Sequence, residues 1–137
     1  MPNNIKIGQI GENVACKYLL NNKYKIIDRN YRETWGEIDI ICKDRNGVLV
    51  FVEVKALKAA NNVSREGLMP EDNLSRSKLE KIKRTAYLYA NNHPELINDN
   101  KGWQIDLIAI EINCSNPENF DLKELLGHCR IRHYGNI

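Results

Sequence analysis

Apolar and polar positions alternate along the first half of the chain with a period that changes between segments. Apolar residues at helical spacing over residues 7–19 predict an amphipathic helix of about 14 residues. A weak strand pattern follows at 24–31, and a clearer strand spans 36–42. Asn46-Gly47 is a strong hairpin signal. The almost continuous β-branched run at 48–55 then predicts a strand that is buried on both faces.

In the second half of the chain, the spacing of apolar residues again changes between helical and strand-like segments. A long polar loop at 57–74 precedes a second helix, for which Ser77 and Glu80 have capping-box spacing. Ser77 is therefore expected to open this helix, which should end near residues 91–94. The remaining predicted elements are a buried strand at 103–112, a short helix at 122–126 and a short edge strand at 128–134. This order predicts an α/β protein whose sheet is covered by helices on its faces.

Composition fits one soluble domain. The chain has 137 residues, of which 42% are hydrophobic and 28% charged, so we expect a single domain over residues 1–137. No apolar run approaches the roughly 20 residues that a membrane-spanning helix needs. The first residues carry no secretory signal, and the 4 cysteines form no Cys-x-x-Cys pair. A cytoplasmic protein with free thiols is the expectation.

Candidate chemistry lies in the predicted hairpin. Side chains alternate faces along a strand, so Glu53 and Lys55 share a face of the second strand of the hairpin, and Ile38 and Ile40 should share a face of the first. A loop centred on Asn46-Gly47 would place Asp39 opposite Glu53 in antiparallel register. Spacing alone leaves two readings equally open. One is a structural ion-pair cluster, and the other is a site for a divalent metal, Mg²⁺ or Mn²⁺, bound by the two carboxylates while Lys55 stabilises charge on a phosphate.

Charge is nearly balanced overall but gathers locally. The net charge of +2 excludes a uniformly basic nucleic-acid binder. Basic residues are nevertheless concentrated on the second helix, where Lys78, Lys81 and Arg84 are candidates for contacts with the phosphate backbone. A solvated helix face is the ordinary alternative. Lys78, near the start of the helix, is the residue most expected to face the carboxylates.

Asp39 followed by Glu53-Val54-Lys55 after a short hairpin resembles the PD-(D/E)xK nuclease signature. A longer ordered set makes the resemblance more specific: Gly11-Glu12, Ala15, Tyr18-Leu19, Arg29-Asn30, Gly36-Glu37-Ile38-Asp39, Phe51 to Lys55, Ser77-Lys78, Ala86 and Ile105-Asp106. Together these residues resemble the YraN-like bacterial proteins, uncharacterised protein family 0102. That family is similar in fold to archaeal Holliday junction resolvases.

The resemblance implies a restriction-endonuclease-like mixed β-sheet with a central hairpin, flanked by α-helices. It implies that Asp39 and Glu53 bind the metal, that Lys55 is the catalytic lysine, and that Glu12 on the first helix completes the site. It also implies a DNA substrate, including branched DNA. Related resolvases act as dimers, but no strong apolar stripe indicates a homodimer here. Gln104 stands where the family often has arginine, so no basic group is expected there.

Three hypotheses follow. The leading one is a metal-dependent endonuclease that hydrolyses DNA phosphodiesters. The second is a catalytically silent nucleic-acid-binding module on a nuclease fold, and the third is a structural or interaction protein whose charged cluster only fixes the strand ends. Three further residues receive structural interpretations: Asp106 as a hydrogen-bonded core aspartate, Trp103 as packing, and His133 without metal-ligand spacing.

Overall fold

The computed structural model describes residues 3–59 and 74–137, with side chains from residue 7 onward. The helices are α1 (Asn3–Asn21), α2 (Arg76–Asn92) and α3 (Leu122–Leu126), with 3-10 turns at Pro94–Leu96 and Pro117–Asn119. The strands are β1 (Lys25–Glu33), β2 (Gly36–Lys43), β3 (Leu49–Lys58), β4 (Trp103–Ile112) and β5 (Cys129–Tyr134). None of the helices in the described ranges has the length and apolarity to cross a membrane.

The five strands form one mixed sheet in the order β1-β2-β3-β4-β5. β3 and β4 pair in parallel, and the other neighbours are antiparallel. Parallel neighbours need a crossover connection, and the segment between β3 and β4 contains α2. The predicted α/β class, with a mixed sheet and flanking helices, is therefore confirmed.

Each face of the sheet has its own apolar core. Side chains of α1 and α3, including Val14 and Leu125, pack on Val50 and Val52 of the central strand. On the opposite face, Ile82 and Tyr89 of α2 pack on Phe51. The alternation of Val50, Phe51 and Val52 between the two cores explains why β3 is almost continuously apolar.

The central hairpin has the predicted register. Ile40 pairs with Val52, and the ladder runs from there to Lys43 opposite Leu49. Gly47 adopts a φ of 84°, in the left-handed region that glycine enters without strain. The Asn-Gly pattern therefore predicted the alignment of the two strands correctly.

One prediction about β2 is wrong. Ile38 was expected to share a face with Ile40, but it is buried in the cluster that packs against α2, whereas Ile40 lies in the α1 cluster. Pairing of β2 with β3 stops at Ile40, and the beginning of β2 continues only beside β1. A side chain at Gly36 would overlap the Thr85 hydroxyl of α2. The start of β2 therefore lies against α2, and Ile38 is buried there.

The other differences between prediction and structure concern the residues at which helices and strands begin and end. The cap of α2 is Ser75, whose Oγ accepts a hydrogen bond from the Lys78 N–H at 3.1 Å, so the assignment of Ser77 as the cap is wrong. Both serines precede charged helical residues, and spacing alone does not separate them. α1 is longer than predicted, with 19 residues. β3 extends to Lys58, and of the predicted loop, residues 60–73 lie outside the described residues.

Two glycines of α1 provide a matched test of helix packing. A Cβ at Gly11 would overlap the Cβ of Ala56 on β3, whereas a Cβ at Gly8 meets nothing within 4 Å. We expect Gly11→Ala to lower the free energy of unfolding by about 1–3 kcal/mol through overpacking. Gly8→Ala should raise it by about 0.5–1 kcal/mol, because alanine has the higher helix propensity. Urea unfolding of both variants measures this, and a Gly11→Ala variant as stable as the parent would contradict the close contact.

Candidate active site at the divergence of β2 and β3

The candidate site lies where the two central strands separate. Beyond the Ile40–Val52 pair, β2 continues beside β1, and β3 continues beside β4 as far as Lys58. The sheet is therefore open between β2 and β3 at this end. Main-chain groups on the two facing edges lose their ladder partners there, so polar side chains can be accommodated inside an otherwise apolar sheet.

Asp39 lies at the start of this opening. Its Oδ2 accepts a hydrogen bond from the Val54 N–H at 2.8 Å, which replaces the ladder bond that β2 no longer supplies. Burial raises the pKa of Asp39 to about 8, and the nearby negative charges of Glu53 and Glu12 raise it as well, while the Val54 hydrogen bond opposes them. The predicted proximity of Asp39 and Glu53 is thus observed.

Glu53 is the most deeply placed charged group of the cluster, with 5% of its surface exposed. Its Oε2 lies 3.1 Å from the Nζ of Lys78 and 3.5 Å from the Nζ of Lys55. Lys55 is on the same strand and face, and Lys78 reaches down from the first turn of α2. A buried carboxylate needs such partners, because an unpaired buried charge is strongly unfavourable.

The two lysines differ in electrostatic environment. Burial lowers the pKa of Lys55, and contact with Lys78 lowers it further, although Glu53 opposes the change. The pKa of Lys78 is raised, because the interactions with Lys55, Glu53 and Asp39 outweigh its partial burial. The two lysines that contact Glu53 therefore differ in the direction of their pKa shifts.

Glu12 reaches the same region from α1. Its Oε1 lies 3.7 Å from an Arg29 guanidinium nitrogen on β1, and the same nitrogen donates a 2.9 Å hydrogen bond to Asn13 Oδ1. The negative charge of Glu12 is one of the smaller causes that raise the pKa of Asp39. Arg29 belongs to the residues that carry the family resemblance, but the sequence alone gives it no role. In the structure its guanidinium balances the charge of Glu12.

The basic residues of α2 fall on different parts of its surface. Lys78 contacts Glu53, as predicted. Lys81 is exposed, and its carbonyl is near the β1–β2 turn at Gly36. Arg84, also exposed, lines a groove on the other flank of the helix. Only Lys78 is therefore directly in the carboxylate cluster.

Sequence reasoning missed a buried polar chain on β4 and β5, in which Asp106 lies in register with Val52 of the central strand. Asp106, with 1% of its surface exposed, accepts hydrogen bonds from Gln104 at 2.8 Å, the Asn136 N–H at 2.9 Å and His133 Nε2 at 2.7 Å. His133 Nδ1 lies 2.9 Å from the Tyr18 hydroxyl. Asp106 is thus the hydrogen-bonded core aspartate that was predicted. The role of His133 carried no sequence signal, because its partners are 27 and 115 residues away.

Several structural interpretations are also confirmed. Trp103 packs edge-on against Phe51, with ring centroids 5.5 Å apart, as a strand-end packing residue. The four cysteines are free: Cys16 and Cys42 are buried, and Cys114 and Cys129 are half-buried. Within the described part of the chain, no group of three or more histidine, cysteine, aspartate or glutamate side chains is arranged to hold a metal ion.

The fold and site define an α/β protein with a carboxylate–lysine cluster at the diverging strands of a mixed sheet. The chain belongs to the uncharacterised protein family UPF0102, which matches residues 11–110, as the resemblance implied. A UPF0102 protein of Persephonella marina is 40% identical over 108 residues, covering 77% of this chain and 84% of its own length. One from Clostridium beijerinckii is 36% identical over 128 residues, covering 93% and 96%. One from Acaryochloris marina is 34% identical over 122 residues, covering 83% and 69%.

Proposed function

We propose that this protein is a metal-dependent endonuclease that hydrolyses phosphodiesters of DNA, including branched or junction DNA. The observation that carries the proposal is the cluster of Asp39, Glu53 and Lys55 at the opening between β2 and β3. Two carboxylates and an amine converge there on rigid strands, at a break in the hydrogen-bond ladder. That combination supplies what phosphodiester hydrolysis needs: oxygen ligands for a cation and a cationic group for the developing charge.

The donor set fits Mg²⁺ or Mn²⁺. Asp39 and Glu53 would hold the ion with hard oxygen atoms, and Mg²⁺ usually keeps several waters and takes only one or two carboxylates from a protein. Burial and the charges of Glu53 and Glu12 raise the pKa of Asp39 and so disfavour its ionised form, and a bound divalent cation would offset this effect. When bound, such a cation lowers the pKa of a coordinated water and polarises the phosphate.

The protein's own residues would position the reacting groups and compensate their charges. The Val54 N–H holds one oxygen of Asp39, which fixes the carboxylate relative to β3. Lys55, half-buried beside Glu53, is placed to stabilise negative charge on the phosphate or to orient the attacking water. Lys78 lies within reach of Glu53 from the edge of the site and can attract the substrate phosphate. Glu12, balanced by Arg29, adds negative potential near Asp39.

One observation favours a protein without catalytic activity, and the silent nucleic-acid-binding module is therefore the second candidate. Lys78 and Lys55 together neutralise Glu53 without any metal, and an ion pair of this kind also serves a purely structural purpose. On this alternative, the protein binds DNA through α2 with strong salt dependence and releases no product.

A cleavage screen with the full-length chain separates the two candidates. Linear, flap and four-way junction DNA are each incubated with Mg²⁺, Mn²⁺ or EDTA, and products are resolved on denaturing gels. The proposal expects strand cleavage with Mg²⁺ or Mn²⁺ and none with EDTA. Salt-sensitive binding without product under any of these metal conditions would support the silent module and reject the endonuclease.

A further inference from the structure

A groove of about 460 Å³, which the proposed reaction does not use, follows the flank of α2 that lies over β4. Ligand pockets commonly have volumes of about 300–1,000 Å³, so the groove is large enough for part of a ligand. The α2 wall contributes Lys83, Arg84 and Tyr87, and Trp103, Ile105 and Ile137 supply apolar surface.

Tyr87 is the most conspicuous residue of the groove. It is 57% exposed, the largest value among the exposed large hydrophobic side chains of the described residues. Beside it, Trp103 is held by its edge-on packing against Phe51. An exposed aromatic ring flanked by the cations Lys83 and Arg84 is the arrangement with which proteins bind single-stranded nucleic acid: bases stack on the ring, and phosphates pair with the charges.

A continuous stripe connects this groove with the candidate active site. Lys78, Lys81, Arg84 and Tyr87 follow one another at intervals of three residues, so each is a neighbour of the next, and the row winds about half a turn around α2 from the site side to the groove side. All four are exposed. Nine residues of helix rise about 13.5 Å, which corresponds to roughly four nucleotides of one B-form strand. The stripe begins at the contact of Lys78 with Glu53 and ends in the groove.

The charges and hydrogen bonds of the groove favour stacking over sequence readout. Glu80 also lines it, three and four residues from Lys83 and Arg84, so one carboxylate offsets part of two positive charges and the wall keeps a positive excess. Gln104, the amide of β4 in the groove, donates through Nε2 to Asp106 at 2.8 Å. That donor is already engaged, which leaves less capacity to read base edges.

We infer that the groove binds unpaired nucleotides of the DNA substrate, with a base stacked on Tyr87 and a neighbouring phosphate paired with Arg84. The inference rests on the proposed function and narrows its substrate class. A duplex that continues into a single-stranded segment, such as a flap or an overhang, would occupy both the carboxylate cluster and the groove. Blunt duplex would occupy the cluster alone.

Binding measured in EDTA, where metal-dependent cleavage is off, tests the inference. Fluorescence anisotropy compares a labelled duplex carrying an oligo(dT) overhang with the same duplex made blunt. We expect Tyr87→Ala to weaken overhang binding about ten-fold and to leave blunt binding unchanged. Tyr87→Phe should retain overhang binding, because it keeps the ring. Tyr134→Ala, which removes a 40% exposed tyrosine from β5, is the matched control and should change neither.

The fluorescence of Trp103, which lines the groove, is a second measure of binding and requires no label on the DNA. The chain has 2 tryptophans, so Trp35→Phe leaves Trp103 as the single emitter. Saturating oligo(dT) should quench its fluorescence, and Tyr87→Ala should weaken that response. The inference is rejected if wild type does not prefer the overhang, if Tyr87→Ala binds it as tightly as wild type, or if the Trp103 emission is unchanged.

The two proposals fail in different ways. A protein that cleaves none of the DNA forms but keeps the overhang preference that depends on Tyr87 overturns the endonuclease and supports the groove. A protein that cleaves DNA in a metal-dependent way without this preference overturns the groove alone.

Discussion

Replacing Asp39 by Asn and Glu53 by Gln in one variant is expected to reduce metal-dependent DNA cleavage by at least about 1,000-fold. Both carboxamides keep the size of the side chains but remove the anionic oxygen atoms that would hold Mg²⁺ or Mn²⁺. Losing the cation removes both the activated water and the stabilisation of charge on the phosphate. Single-turnover cleavage of the best substrate from the screen measures the effect.

The same substitutions also separate a functional cluster from a structural one. Burial and the charges of Glu53 and Glu12 raise the pKa of Asp39, so the ionised carboxylate is unfavourable for the fold. Asp39→Asn alone should therefore leave the melting temperature equal to or above that of the parent while cleavage is lost. Glu37→Gln, at an exposed carboxylate two residues earlier on β2, is the matched control and should change neither quantity. Full cleavage by the double variant would remove Asp39 and Glu53 from the mechanism.

The largest expected effect on stability is at Asp106. Asp106→Ala should lower the free energy of unfolding by about 3–5 kcal/mol, because it removes a buried carboxylate that accepts hydrogen bonds from Gln104, the Asn136 N–H and His133. Chemical denaturation monitored by circular dichroism measures the loss. Asp44→Ala is the control: Asp44 also accepts two hydrogen bonds, but in the hairpin loop, and should cost about 1 kcal/mol. Equal losses of unfolding free energy in the two variants would show that the hydrogen bonds of Asp106 contribute no more to stability than those of Asp44.

Asp106→Asn adds a pH test. Burial acts to raise the pKa of Asp106, but hydrogen bonds from His133, Asn136 and Gln104 outweigh it and hold the pKa below the usual range. The ionised form therefore stabilises the fold fully above the unfolded pKa of about 3.9, and this contribution is lost as the pH falls through the folded value. The stability difference between wild type and Asp106→Asn should accordingly shrink below about pH 4. A difference that is constant across the acid range would contradict the assignment.

The sequence predicted best what local patterns determine. The Asn46-Gly47 turn and the β-branched run after it were sufficient to align Asp39 with Glu53, because hairpin register depends on turn position and side-chain parity. It predicted less well where tertiary contacts decide. Ile38 is buried in the cluster that packs on α2, near the close approach of Gly36 to Thr85, and no pattern within β2 encodes these tertiary contacts.

Long-range polar contacts were the hardest to foresee. The Tyr18–His133–Asp106 chain joins residues that are far apart in sequence, and an isolated histidine in a short edge strand is compatible with many roles. Arg29 presented the same difficulty, since its pairing with Glu12 depends on how α1 lies against β1. Lys78 was an exception, because its position in the first turn of a helix after β3 already placed it near the end of the central strand.

Because β2 and β3 separate beside the cluster, the relative positions of Asp39 and Glu53 depend on how the two strands are aligned. Asp39 and Glu53 stand on opposite arms of one hairpin whose pairing stops at Ile40 and Val52. A shift of one residue between the arms would turn Glu53 away from α2 and would move Asp39 off the Val54 amide, without altering any residue of the cluster. Gly47 lies at the far end of the hairpin, and the tight turn that it allows sets the strand alignment on which the positions of Asp39 and Glu53 depend.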